Sequence, residues 1–308
     1  MLTSIYGAIA LGLLFALMAL GVYITFRILN FPDLTVDGSF ATGGAIATVM
    51  ITHGYSPWLA TLGALGGGLI AGACTGLLHT KGKVNGLLAG ILMMIALYSI
   101  NIRIMGRPNV SVINMDTLLS PIKKPIGLYI AILLVAILLI KLLLDAFLHT
   151  DLGLALRATG DNSRMIRSLG SNTDTTTIVG VSLSNGLVAV SGALIAQDAG
   201  FADATMGVGI IVIGLASVII GEAIIGTRTV FIATLAVILG SILYRIVVAF
   251  ALRVPWLKAS DLKLITASIV IVALVLPTVQ RAFKQKSLAR KRSLELAGVT
   301  AAGKGGKS

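Results

Sequence analysis

Apolar runs long enough to cross a lipid bilayer recur along this chain, and no other feature limits its fold so severely. They cover residues 5–29, 57–79, 84–101, 126–148, 176–197, 208–225, 230–250 and 262–283. A hydrocarbon core of about 30 Å takes roughly 20 helical residues. Within it each backbone N–H and C=O must be satisfied by protein, which a helix does inside its own segment. A weaker run at 38–52, rich in Gly, Ala, Ser and Thr, reads as a short span or a broken helix and is counted as crossing. The expected fold is all-α, a polytopic transmembrane helical bundle of about nine crossings. Composition agrees: only 12% of the 308 residues are charged and 56% are apolar, whereas a soluble domain carries about 25% charged residues.

Turn chemistry marks the breaks, as at Pro32 between Asn30 and Asp33, at Pro108 after Gly106, and at Pro255 between Arg253 and Trp256. The first run is too long for a signal-peptide core and lacks a basic flank, so it is expected to stay as a span. Loops near 102–125 and 150–175 are too short to hold cores of their own. Residues 1–283 therefore read as one membrane domain. Cys74, the one cysteine, lies inside an apolar run and reads as a small packing residue.

Orientation follows from Lys and Arg. Beyond the last run stand Arg281, Lys284, Lys286, Arg290, Lys291, Arg292, Lys304 and Lys307, against a single acid, Glu295. Residues 284–308 are thus expected to form a basic cytoplasmic tail without fixed structure, lying on anionic membrane lipid. Counting back over nine crossings puts Arg27, Lys81, Lys83, Arg157, Arg164, Arg167 and Arg228 on the cytoplasmic side and the N-terminus outside. A smaller basic group, Arg103, Arg107, Lys123, Lys124, Arg253, Lys258 and Lys263, falls outside. The net charge of +12 is accounted for by this topology, with no nucleic acid as partner.

The most informative loop runs from Gly153 to Gly170. Asp161 is expected to N-cap a short helix from Asn162 to Leu169, stopped by Gly170 at the C′ position. Met165, Ile166 and Leu169 then share one face, flanked by Arg157, Arg164 and Arg167. Such a helix either docks in a groove on a soluble partner or simply joins two spans. Gly153, Leu156, Arg157, Ala158, Gly160 and Asn162 fit the pattern G-x-x-L-R-A-x-G-x-N. That pattern resembles the coupling loop of ABC importer permeases of the branched-chain amino acid and ribose type. The small residues usual after its asparagine are replaced here by Arg164 and Met165.

The stretch from Asn30 through Phe31, Asp33, Thr35 and Asp37 to Ser39 resembles the element after the first span of those permeases. Its longer form, P-D-L-T-V-D-G-S-F, is similar to a subgroup linked to tryptophan and tyrosine uptake. Further similarity runs through 192–194, 214–222 and 240–245, so that the likeness spans residues 5 to about 283. From the residues alone, Asp37 is expected to N-cap the weak run and Pro32 to break the preceding span.

The resemblance implies a permease domain over 1–283, a homodimer in the bacterial cytoplasmic membrane, and import of an amino acid, with an aromatic one expected. It implies cytoplasmic ABC ATPase subunits docked at Arg157, Gly160, Asp161, Asn162, Met165, Ile166, Leu169 and Gly170. It also implies an extracytoplasmic substrate-binding protein as partner. The chain itself would bind no cofactor; ATP and Mg would sit on the partner ATPase. Substrate-pathway candidates are Asn30, Phe31, Asp33, Thr35, Asp37, Asn85 and Asn185.

Other constellations carry weaker readings. Glycines at four-residue spacing (68, 72, 76, then 82, 86, 90) would stack on helix faces, either for tight packing or along a pathway or dimer seam. Glu222 and Arg245 are ionisable within spans, and Glu222 is expected to cap its helix end beside Arg228. Lys141 and Asp145, one turn apart, are expected to pair. Asn85, Asn101 and Asn185 either bond across helices or line a polar path. His53, His79 and His149, at span ends, read as interface residues. The tail from Ala301 to Ser308 imitates a phosphate loop, but no strand precedes it and no helix follows. No catalytic triad or metal-ligand spacing is present, so no enzyme is expected. A stand-alone carrier driven by an ion gradient is the rival; it would need a membrane carboxylate, and Glu222 is its one serious candidate.

Overall fold

The computed structural model of the chain describes residues 2–123 and 125–251, with positions 264, 266–268, 271 and 275. The expected run at 262–283, the turn at Pro255 and the tail 284–308 lie outside the described residues, those few positions apart.

Nine α-helices, a 3-10 turn at Ser120–Ile122 and one two-stranded sheet are arranged along residues 2–251. Helix α1, Leu2–Tyr23, widens into a π turn over Ile24–Ile28, closed by Leu29 N–H donating to the Ile24 carbonyl at 2.9 Å. Next come α2, Thr35–Thr52, and α3, Pro57–Thr80, the latter opened by proline in its first turn and capped by Ser56. Helix α4, Gly86–Met105, is capped by Asn85 and stopped by Gly106, whose φ of 67° suits glycine. Helices α5, Ile126–Leu148, and α6, Asp151–Ser168, lead to α7, Thr173–Ala199. Two further helices follow, α8, Ile210–Ile225, and α9, Val230–Ala251. Strands β1, Asn109–Ser111, and β2, Phe201–Asp203, pair antiparallel with Val110 opposite Ala202.

Among the described residues six helices are long and apolar enough to cross a membrane: α1 with its π turn over Ser4–Ile28, α3, α4, α5, α7 and α9; α8 is a shorter apolar helix. The run expected to be short or broken is α2, an unbroken helix of 18 residues. It is sheathed by α3, α4 and α7. Its glycines, serines and threonines therefore meet protein and not lipid, which explains its weak hydropathy.

Helix α7 packs against α1, α2 and α3 at the centre of the bundle. A methyl at Gly68 or Gly72 of α3 would overlap the carbonyl oxygen of Asn185 or Val181, and one at Gly76 would lie 2.8 Å from the Ile178 Cα. That stripe is a helix–helix seam, the plainer of its two readings. The second stripe is corrected: Gly82 lies in the turn before α4, so only Gly86 and Gly90 share a helix. Those two admit the Phe31 ring and the Leu34 backbone. Lipid is as apolar as leucine, so burying Leu14, Leu17 and Leu20 against α1's neighbours gains packing but little transfer energy. Hydroxyl bonds between helices add to it. Ser184 donates to the Gly21 carbonyl at 2.7 Å, Ser191 to Leu14 at 2.7 Å and Ser241 to Gly12 at 2.8 Å. Such bonds are worth about 0.6 kcal/mol each.

Lys141 and Asp145 pair as expected, at 2.6 Å and almost fully buried. The Lys141 ammonium also lies 3.0 Å from the centroid of the Phe231 ring, and Thr234 donates to Asp145 at 2.8 Å. The pair thus fastens α5 to α9.

Candidate functional site

At one end of the bundle, α6 lies between α5 and α7 and bends sharply at Asn162, whose φ of −157° and ψ of 87° interrupt it. Its first part, 151–161, is capped by Thr150 and has no counterpart in the sequence reading. The second part, 163–168, is the expected short helix with its cap moved by one residue. Asn162 and not Asp161 is the cap, its Oδ1 accepting the Met165 N–H at 3.1 Å. Asp161 still belongs to the preceding turn and cannot reach it. The stop is as expected: Gly170 has φ of 86°, its N–H donates to the Arg167 carbonyl, and Ser171 N–H donates to that of Ile166.

Beyond the bend, Met165 and Leu169 are exposed, at 56% and 70%, with Ile166 partly covered between them. The base of this segment is held on both sides. Gly160 lies so close to the Ile28 carbonyl that a side chain there would overlap it. Thr159 and Thr176 share a hydrogen bond at 3.0 Å, and Arg167 donates to Thr173 at 2.7 Å. The two parts of α6 together therefore touch the end of the first span, through Gly160, and the start of α7, through Thr159 and Arg167.

Arg157 and Asp161 line a recess of about 230 Å³ with Tyr23, Arg27 and Arg228. Here a second expectation is corrected: Glu222 pairs with Arg27 through both carboxylate oxygens, not with Arg228. The π turn delivers Arg27 to the end of α8, while Arg228 lies past Gly226, whose φ of 88° turns the chain aside. Asn30 and Phe31 line a neighbouring cavity of about 400 Å³ together with Asn162, Arg164 and His79. Asn30 takes a left-handed φ of 52°, which asparagine tolerates, and Phe31 meets the His79 ring edge-on at 5.0 Å. Each of the three histidines engages a backbone carbonyl at a helix end through Nδ1.

Deeper in, Asp33, Thr35 and Asn185 form one buried network. Asn185 donates to Asp33 at 2.6 Å and accepts from Ser39 at 2.7 Å, while Thr35 bonds Thr75 at 2.7 Å. Asp33 receives the Thr35 N–H at 2.9 Å, so it and not Asp37 opens α2. Asp37, already inside the first turn, reaches across to α8 and accepts from Gly209 and Ile211 N–H at 2.8 and 2.9 Å. A carboxylate at a helix N-terminus meets both unpaired N–H groups and the positive end of the dipole. Asn85 stands apart as the cap of α4. Asp33, Thr35, Asp37 and Asn185 are thus brought together; Asn30 and Phe31 sit nearer α6. The Arg27 partner of Glu222 left no signal in the sequence, because 195 residues separate them.

The family described as "Branched-chain amino acid transport system / permease component" matches residues 4–277. The tyrosine transport system permease protein of Clostridioides difficile (strain R20291) is 43% identical over 273 residues, 89% of this chain and 91% of that one. An uncharacterized protein of Rickettsia prowazekii (strain Madrid E) is 40% identical over 193 residues, 63% of this chain and 68% of that one. The galactofuranose transporter permease protein of Escherichia coli (strain K12) is 28% identical over 179 residues, covering 56% and 50%.

Proposed function

Because the chain belongs to the branched-chain amino acid transport permease family, we propose that it imports an aromatic amino acid as half of a homodimer driven by ABC ATPase subunits. Subunits of this family are multi-pass membrane proteins and not themselves enzymes, so the energy has to enter through a contact. In this reading the ATPases, carrying ATP and Mg, dock on the α6 end, and a substrate-binding protein delivers cargo to the opposite end. The membrane is the bacterial cytoplasmic membrane, with the α6 end and the C-terminus inside. The aromatic class is carried by the tyrosine permease named above.

One observation carries the docking site: two large apolar side chains, Met165 and Leu169, stand exposed on a short, well-capped helix at the polar end of the bundle. Apolar surface outside the lipid belt marks a partner contact. Movement of this helix would pull on Thr173 through Arg167 and reach Ile28 through Gly160 in the first part of α6, biasing α1 and α7 between two arrangements of the pathway. The neighbouring residues Arg157, Gly160, Asp161, Asn162, Ile166 and Gly170 shape and position the contact. No observation favours a gradient-driven carrier, since Glu222 is held by Arg27.

The test is the pair of substitutions Met165→Asp and Leu169→Asp in the complex with its ATPase. Unpaired charge at the contact should reduce transport-coupled ATP hydrolysis more than ten-fold while insertion and dimerisation persist. Full coupling in the double variant would rule out docking at this helix.

A further inference from the structure

A recess of about 220 Å³ opens between α2, α4 and the segment leading into α8, at the level where α2 and α8 both begin. Its walls are mostly apolar, with Met94, Ile95 and Tyr98 from α4 and Val208 opposite. Two polar groups interrupt them. One is the Asp37 carboxylate, which already receives two backbone N–H groups and keeps lone pairs free. The other is Asn101, fully buried, whose amide nitrogen faces the Gly38 carbonyl at 3.4 Å. That carbonyl only accepts, so it fixes which way the amide points. The Asn101 Oδ1 is then left with no partner among the described residues.

We infer that this recess takes the side chain of the transported amino acid, a planar ring bearing one hydrogen-bond donor, which the Asn101 Oδ1 accepts. The inference rests on the aromatic-importer reading above. A buried, unpartnered acceptor is costly and uncommon, and a ligand donor removes that cost. Volume agrees: an apolar cavity of about 150 Å³ holds benzene, so the recess accommodates a phenol or the larger part of an indole. Among the described residues that line the recess there is no cation for a ligand anion, whereas the Asp37 carboxylate and the Asn101 Oδ1 are acceptors. The site therefore selects tyrosine or tryptophan over phenylalanine, which fills the same volume with no donor. Tyr98 adds an aromatic face for the ring.

Whole cells producing the chain with its ATPase and binding protein are given labelled tyrosine, with unlabelled phenylalanine, tryptophan or leucine as competitors. Asn101→Leu, close in shape but without the acceptor, should lower tyrosine uptake about ten-fold and erase the preference over phenylalanine. Val208→Trp, placed at the exposed rim where folding is not at stake, should block the recess and reduce uptake of all aromatic substrates. Membrane abundance should match the wild type in both. Wild-type tyrosine uptake that survives both changes would overturn the site while leaving the importer reading intact. No aromatic uptake by the wild type would instead overturn the importer reading and this site with it.

Discussion

Single side chains decide more here than the low charge content suggests. Lys141 and Asp145 survive in the bundle because each supplies the other's counter-charge, with Phe231 and Thr234 completing the surroundings. Removing one partner strands the other, which costs about 3–5 kcal/mol at buried pairs. Lys141→Met should therefore lower the thermal unfolding midpoint of the purified protein clearly. Lys141→Met combined with Asp145→Leu should recover most of that loss. Glu222 is a different case, because its partner Arg27 is 56% exposed and exposed pairs contribute about 0–1 kcal/mol. In proteoliposomes with the ATPase, Glu222→Gln is expected to leave uptake dependent on ATP and indifferent to ion gradients. Gradient-driven uptake without ATP, lost in that variant, would install the carrier instead.

At the scale of elements, α3 and α7 approach as closely as glycine allows. Gly72→Ala places a methyl against the Val181 carbonyl and the Ser182 backbone, and overpacking of this kind costs about 1–3 kcal/mol. Gly66→Ala on the same helix meets nothing within 4 Å and should be neutral or slightly stabilising, as alanine is the better helix former. Unfolding midpoints of the two variants provide the comparison, and equal values would refute the seam. The bend in α6 depends on its cap: Asn162→Ala loses the bond to the Met165 N–H, worth about 1 kcal/mol. Hydrogen exchange of residues 163–168 should speed up while α7 stays protected.

For the whole molecule, two ends can be told apart. One gathers Arg27, Lys83, Arg157, Arg164, Arg167 and Arg228 around α6. The other carries the β1–β2 pair and the Lys123–Asp198 bridge at 3.1 Å. The excess of basic residues at the α6 end supports the proposal that this end faces the cytoplasm. In a variant with Cys74→Ala, a cysteine at Ser111 should react with an impermeant reagent in intact cells, and one at Ser168 only after lysis. The reverse pattern would overturn the orientation and the docking reading together.

The apolar runs by themselves determined an all-α membrane bundle, and the starts and stops of most helices, because span length and turn chemistry are local properties. The run at 126–148 coincides with α5, and Gly170 ends its helix through its own φ. What the tertiary structure alone decided are the relations across the chain. Asp37 reads as a cap for its own helix, yet caps α8, since a carboxylate goes to whichever unpaired N–H groups folding brings within 3 Å. Glu222 has a plausible neighbour in Arg228, but the π turn carries Arg27 to it instead. The weak hydropathy of α2 suggests a broken span until its sheath of α3, α4 and α7 shows why it needs no lipid-facing surface. Asn101 is one polar residue among many in the sequence; only packing leaves its acceptor buried beside an open recess.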